Sequence, residues 1–227
     1  MNHVVTVAKA RNNYHHGDLR EALLTAAEQI LHEEGLQGLT LRACARRAGV
    51  SHAAPKHHFA SLAELLSEVA ARSFDHLTRA LQQAHAEVGE DLDERFRAAA
   101  LTYVDFARSY PAHFRLMFRS DALDKQCNEA LSEASARTFA ELADIIALQR
   151  GEPEVQPSEL RERVMEAGLM EDILIGWSYV HGYTQLLLEG QLDGFAQDEN
   201  LDEFIERTIA ATGKRLSRML RQRSNDG

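Results

Sequence analysis

Apolar residues recur three and four positions apart along nearly the whole chain, the spacing of helices with one buried face. Leu19, Leu23, Ala26, Ala27, Ile30 and Leu31 predict a first helix, which Gly35 stops. Leu36-Gln37-Gly38-Leu39 reads as a turn, and Thr40 as the cap of a second short helix over 41–48. Gly49-Val50-Ser51 breaks that helix before a third short segment running to Phe59. From Leu62 the apolar positions 65, 66, 69, 70, 74, 77 and 81 mark a longer helix, interrupted at Gly89-Glu90-Asp91. Further helices are expected over 91–109, 112–118, 122–149, 158–189 and 201–221, with a polar loop at 151–157 and an unstructured tail beyond Arg221. Strand-type alternation and internal repeats are absent from the sequence, so the expected fold class is all-α.

With 227 residues, 44% of them hydrophobic, the chain can bury the core of one or two soluble domains. No apolar run approaches the roughly 20 residues needed to cross a bilayer, and no secretion signal opens the chain. Cys44 and Cys127 are far apart without metal-type spacing, which predicts reduced thiols in a cytoplasmic protein. The net charge of −10 argues against a nucleic-acid partner until its distribution is read. Residues 1–62 hold seven Lys and Arg against five Asp and Glu, a net +2, with seven of the eleven histidines; residues 63–227 carry −12. Local charge sets phosphate attraction, so the N-terminal segment remains a candidate for DNA.

Residues 40–59, TLRACARRAGVSHAAPKHHF, concentrate the chemistry. Ala45 is small enough for two helices to cross closely. Gly49 can take the positive φ of a tight inter-helix turn, Val50 plugs the crossing, and Ser51 can cap the next helix. Such a motif projects the start of its second helix into a major groove. Pro55 is tolerable only in a first turn, so the reading helix is expected to start at Ser51 or His52 and to be short.

The first helix, the GLQGLTLRACARRAGVS run from Gly35 to Ser51 and the closing His58-Phe59 resemble the TetR family of regulators. Trp177, His181 and Gly182 match a Trp-His-Gly signature found in the C-terminal domain of one branch. The resemblance implies a DNA-binding domain over 14–62 with its helix-turn-helix at 40–59, and a ligand-binding and dimerisation domain over 63–227. It implies a homodimer formed through 158–189 and 201–221, double-stranded DNA as partner, and a small-molecule effector that commonly releases a repressor from a palindromic operator. Lys56 stands where the family usually has Tyr, and Leu62 where it has Lys; Lys56 can still neutralise a phosphate and Leu62 cannot.

The expected DNA contacts are Thr40, Arg42, Ser51, His52, Ala53, Ala54, Lys56, His57 and His58. Arg46 and Arg47 read equally well as contacts or as a solvated face, and Lys9 and Arg11 equally well as a groove arm or as idle. His52, His57 and His58 are not expected to hold a metal, because neighbouring helical histidines point about 100° apart. In the larger domain Tyr103, Phe106, Phe114, Trp177 and His181 have two readings: an ordinary core with a satisfied histidine, or a ligand pocket with His181 as its polar hook. Gly168, Gly176 and Gly182 inside one predicted helix suggest close helix approach. No catalytic signature or cofactor motif is present, so an enzyme is not expected. The rivals are a family member that has lost DNA binding, supported by Lys56 and Leu62 but opposed by the intact Gly49-Val50-Ser51 turn, and a small helical enzyme built around His181.

Overall fold

The computed structural model describes residues 16–124, 128–165, 168–196 and 200–225. Lys9, Arg11 and Cys127 therefore lie outside the described residues. Among the described residues every regular element is helical, and none is long and apolar enough to cross a membrane. The chain divides into two compact units that meet between Leu62 and Ala63.

In the first unit α1 (His16–Glu34) buries Leu23, Leu24, Ala26, Ala27, Ile30 and Leu31. A 3-10 turn, Leu36–Gly38, leads into α2 (Leu41–Arg47). The Thr40 hydroxyl oxygen accepts the Ala43 N–H at 3.1 Å and caps α2, as its position predicts. Cys44 and Ala45 have no solvent exposure, so α2 lies directly on α1. Burial pushes the Cys44 thiol up to about 11, which keeps it protonated and unreactive. Gly49 has φ +70°, the left-handed conformation the turn requires, and Val50 closes the turn through its N–H to the Ala45 carbonyl at 3.0 Å.

The second unit comprises α3 (Leu62–Val88, from its second residue), α4 (Leu92–Ser109), α5 (Pro111–Met117), α6 (Glu129–Gln149), α7 (Leu160–Arg163), α8 (Leu169–Leu188), α9 (Asp193–Ala196) and α10 (Leu201–Asn225). α4 packs on α8 and α10, and α6 on α8. Phe96, Ala143, Ile146, Ile173, Leu216 and Leu220 are central to their shared core. A Cβ added at Gly176 would stand 3.3 Å from Ile146 Cδ1, and one at Gly213 would stand 3.0 Å from Phe96, so both glycines let helices approach closely.

Three expectations need correction. The helix predicted over 122–149 begins only at Glu129, because Asn128 accepts the Leu131 N–H at 2.8 Å and caps it there. The single helix predicted over 158–189 is broken: Gly168 has φ +83° and starts α8 anew instead of lying inside a helix. The last helix passes the expected end at Arg221 and reaches Asn225, with Arg221 anchored to Asp93 and to Gln149.

An ionic network replaces the continuity lost at Gly168. Asp172, in the first turn of α8, is completely buried, and Arg150, just past the end of α6, places Nη1 2.6 Å from its carboxylate. Arg150 Nε also reaches Glu152 at 2.6 Å, and Glu152 in turn holds Arg163 of α7 at 3.3 Å. Asp172→Ala leaves Arg150 its bond to Glu152 but removes the buried acceptor, and should cost roughly 1–3 kcal/mol, read as a lower urea midpoint for unfolding of the second unit. The apolar pair Arg150→Met with Asp172→Leu should recover most of that loss; an unchanged midpoint in the single variant would show that the network ties nothing.

Candidate functional site

Two features carry chemistry, one in each unit. The first is the segment after Gly49. The sequence predicts a reading helix starting at Ser51 or His52, but the structure has a turn over Ser51–Ala53 followed by one 3-10 turn, Ala54–His57. Pro55 explains the difference. It has no N–H to return to the Ser51 carbonyl, and it disfavours the helical conformation of Ala54 before it. The chain closes on shorter bonds: Ala54 N–H to the Ser51 carbonyl at 3.0 Å, Lys56 N–H to that of Ala53 at 3.3 Å, and His58 N–H to that of Pro55 at 3.0 Å. Ser51 thus contributes its carbonyl here, and the 3-10 turn has no side-chain cap.

Burial sorts this segment into two faces. Pro55 and Phe59 are buried, with the Arg20 guanidinium 5.1 Å from the centre of the Phe59 ring. Ser51, His52, Ala53, Lys56 and His57 are exposed; Ala54 and His58 are half-buried, and His58 is engaged within the structure. On α2, Arg42 and Arg46 are exposed and form no ion pair with any described residue. Arg47 is committed, with Nη1 2.6 Å from Glu33 and Nη2 2.9 Å from Glu34. The Thr40 oxygen is occupied by Ala43 N–H, which leaves its hydroxyl proton free to donate outward. Among the described residues the exposed cations outside any ion pair are therefore Arg42, Arg46 and Lys56, with His52 and His57 on either side of Lys56 in sequence. No three His, Cys, Asp or Glu side chains among the described residues converge as metal ligands.

The second feature is a partly open cavity of about 440 Å³ in the larger unit, lined by α3, α4, α6 and α8 with Leu160 of α7 and Phe118 just past α5. Its wall is mainly apolar and includes Tyr103 and Trp177, two of the five pocket residues proposed from sequence. Phe106, Phe114 and His181 do not line it. Phe106 packs against His76 and Tyr110, while Phe114 is fully buried and stacks on His181 at 5.5 Å.

His181 is thus not the polar hook of this cavity but stands one layer behind it. The Tyr103 oxygen lies 2.8 Å from His181 Nδ1, and the Gln185 amide nitrogen lies 3.3 Å from His181 Nε2. Burial pushes the Tyr103 phenol up and the His181 imidazole down, so phenol and neutral ring face one another. The polar wall comes instead from Ser132, Ser135, Thr138 and Glu141, all on α6, a helix the sequence reading passed over. The signal was present: Thr138 and Glu141 interrupt an apolar stripe that includes Ala134, Ile145 and Leu142.

Both units match family models. Residues 23–69 match the bacterial regulatory proteins of the tetR family, and residues 96–212 match the tetracyclin repressor-like C-terminal domain. A segment of 102 residues is 33% identical to the HTH-type transcriptional activator FasR of Mycolicibacterium smegmatis; that match spans 45% of this chain and 46% of FasR. The fold is similar to that of a Rhodococcus sp. RHA1 protein of unknown function, with a TM-score of 0.69 and 29% identity over 92% of this chain and 98% of that one. The TetR family transcriptional regulator PfmR of Thermus thermophilus shares the fold at a TM-score of 0.55 and 18% identity, over 86% and 97% of the two chains. The second match covers more than half of the chain, and it falls behind a reading segment of the kind the first describes: the chain belongs to the TetR family, as a DNA-binding transcription regulator and not an enzyme.

Proposed function

We propose that this protein is a ligand-responsive cytoplasmic repressor that binds a palindromic operator as a homodimer. The observation that carries the reading is the exposed face of Ser51, His52, Ala53, Lys56 and His57, beside uncommitted Arg42 and Arg46 and above a buried Pro55-Phe59 anchor. In the major groove the two histidines supply base-edge hydrogen bonds and the Ala53 and Ala54 methyls meet thymine methyls. Thr40, Arg42 and Lys56 bind phosphates and fix the register, while His58 supports the turn. A second copy covers α8. Leu174, Ile175 and Leu186 are 41–47% exposed on that helix, and a Cβ built at Gly182 meets nothing within 4 Å. An effector in the cavity releases DNA by binding better to the state in which the two heads are wrongly spaced.

A second reading is activation, favoured by the similarity to an activator over 45% of the chain. In vitro transcription from the bound promoter separates the two: repression lowers the transcript and activation raises it.

Selection of bound sequences from a random DNA pool should return an inverted repeat. His52→Ala should then cost roughly 1–3 kcal/mol at that operator and much less on random DNA; equal losses on both would reduce His52 to a positioning group. Arg42→Ala and Lys56→Ala should weaken binding to all sequences alike, each lowering the salt slope by about one unit. A changed sequence preference at constant slope would reassign either residue to base reading.

Gly182→Leu tests the dimer. Open space surrounds Gly182 within one chain, so the variant should keep its helical content. Sedimentation at micromolar concentration should show a dimer for the parent protein and a monomer for the variant. A monomeric parent, or a variant that still dimerises, removes this face from assembly.

A further inference from the structure

We propose that the cavity takes a lipophilic cation, an amine or quaternary ammonium carried on an apolar body, with Glu141 as its counter-ion. The proposal rests on the effector reading of the cavity and adds the chemical class of the ligand. Among the described residues that line the cavity, Glu141 is the one charged side chain, and none is Lys, Arg or His. The rest of the wall is strongly aromatic, with Phe74, Phe118, Phe139 and Trp177 among its members.

Among the described residues the carboxylate pairs with no Lys or Arg. Its Oε1 accepts the Gln82 amide N–H at 2.7 Å, and Oε2 stands 3.5 Å from His85 Nδ1. Both groups come from α3, so one amide hydrogen bond and one imidazole contact hold the acid. His85 is itself short of a partner, since its Nε2 is buried with none.

Three ligand classes respond differently to such a site. An anion would bury a second negative charge beside an incompletely compensated one, the arrangement that costs most in an apolar surrounding. A neutral apolar molecule fills the space and gains nothing from Glu141. A cation gains the carboxylate and the faces of the aromatic rings together. A volume of about 440 Å³ suits a drug-sized molecule.

The test uses the full chain and three probes that share a ten-carbon tail: decyltrimethylammonium, decanol and decanoate, below their micelle concentrations. Trp177 is the single tryptophan and lines the cavity, so its emission reports filling. The cation should bind at least about tenfold more tightly than the alcohol, and decanoate most weakly. Glu141→Gln keeps the shape and should erase the cation's advantage while leaving decanol affinity unchanged, which shows that the variant cavity is intact. Decanoate binding as tightly as the cation, a cation preference surviving in Glu141→Gln, or no binding of any probe would overturn the proposal. Cation binding through Glu141 without weaker operator binding would uphold the ligand class and remove the effector reading instead.

Discussion

Asp172 sits without solvent exposure in the first turn of α8, and Arg150 meets it from just past the end of α6. α6 and α8 are two walls of the cavity, and this charged pair ties the end of one to the start of the other. The pair fixes the angle at which α8 leaves Gly168, whose left-handed backbone would otherwise allow that helix several directions. It lies where the helix dipole also favours a negative charge. Once α8 is set, Gly176 can rest against Ile146, Trp177 and Tyr103 line the same cavity, and positions 174, 175 and 186 stay exposed. Removing one member of a buried ion pair strands the other, so the network is better understood as a constraint on geometry than as a source of net stability.

What the sequence made legible divides along a physical line. Local rules worked: Thr40 as cap, Gly49 as turn and Tyr110-Pro111 as a helix boundary all follow from backbone preferences of single residues. Element ends failed where two local signals competed. Asn128 outbid an apolar pattern that began at Ala122, and Gly168 chose a positive φ over a helical one. The reading segment was seen as unusually short, yet periodicity alone could not show that Pro55 would reduce it to one 3-10 turn.

The cavity was harder still, because its wall is assembled from distant helices. The aromatic run far upstream of Trp177 suggested Phe106 and Phe114, which instead fill the core behind the cavity. Phe74 and Phe139 face the cavity from α3 and α6, some 65 residues apart, and nothing local announces that they meet. His181 was singled out for its chemistry, which is real, but it acts on Tyr103 and not on the cavity. α8 emerges as a helix with two commitments: Gly176, Trp177 and Val180 towards the cavity, Leu174 and Leu186 towards solvent in the single chain.

Pro55 also limits how much address a single head can hold. A base pair fully resolved in the major groove conveys about two bits, and singling out one location among roughly 10⁶–10⁹ competitors takes about 20–30 bits. One exposed turn, with two alanines among its leading positions, can discriminate only a few base pairs and falls well short of that sum. In the proposed homodimer the missing information comes from repeating the same short word at a fixed spacing, and from the stiffness and groove width of the DNA between the repeats. A mutation that changed the distance between two heads would then erase more of the address than one that blunted a single histidine.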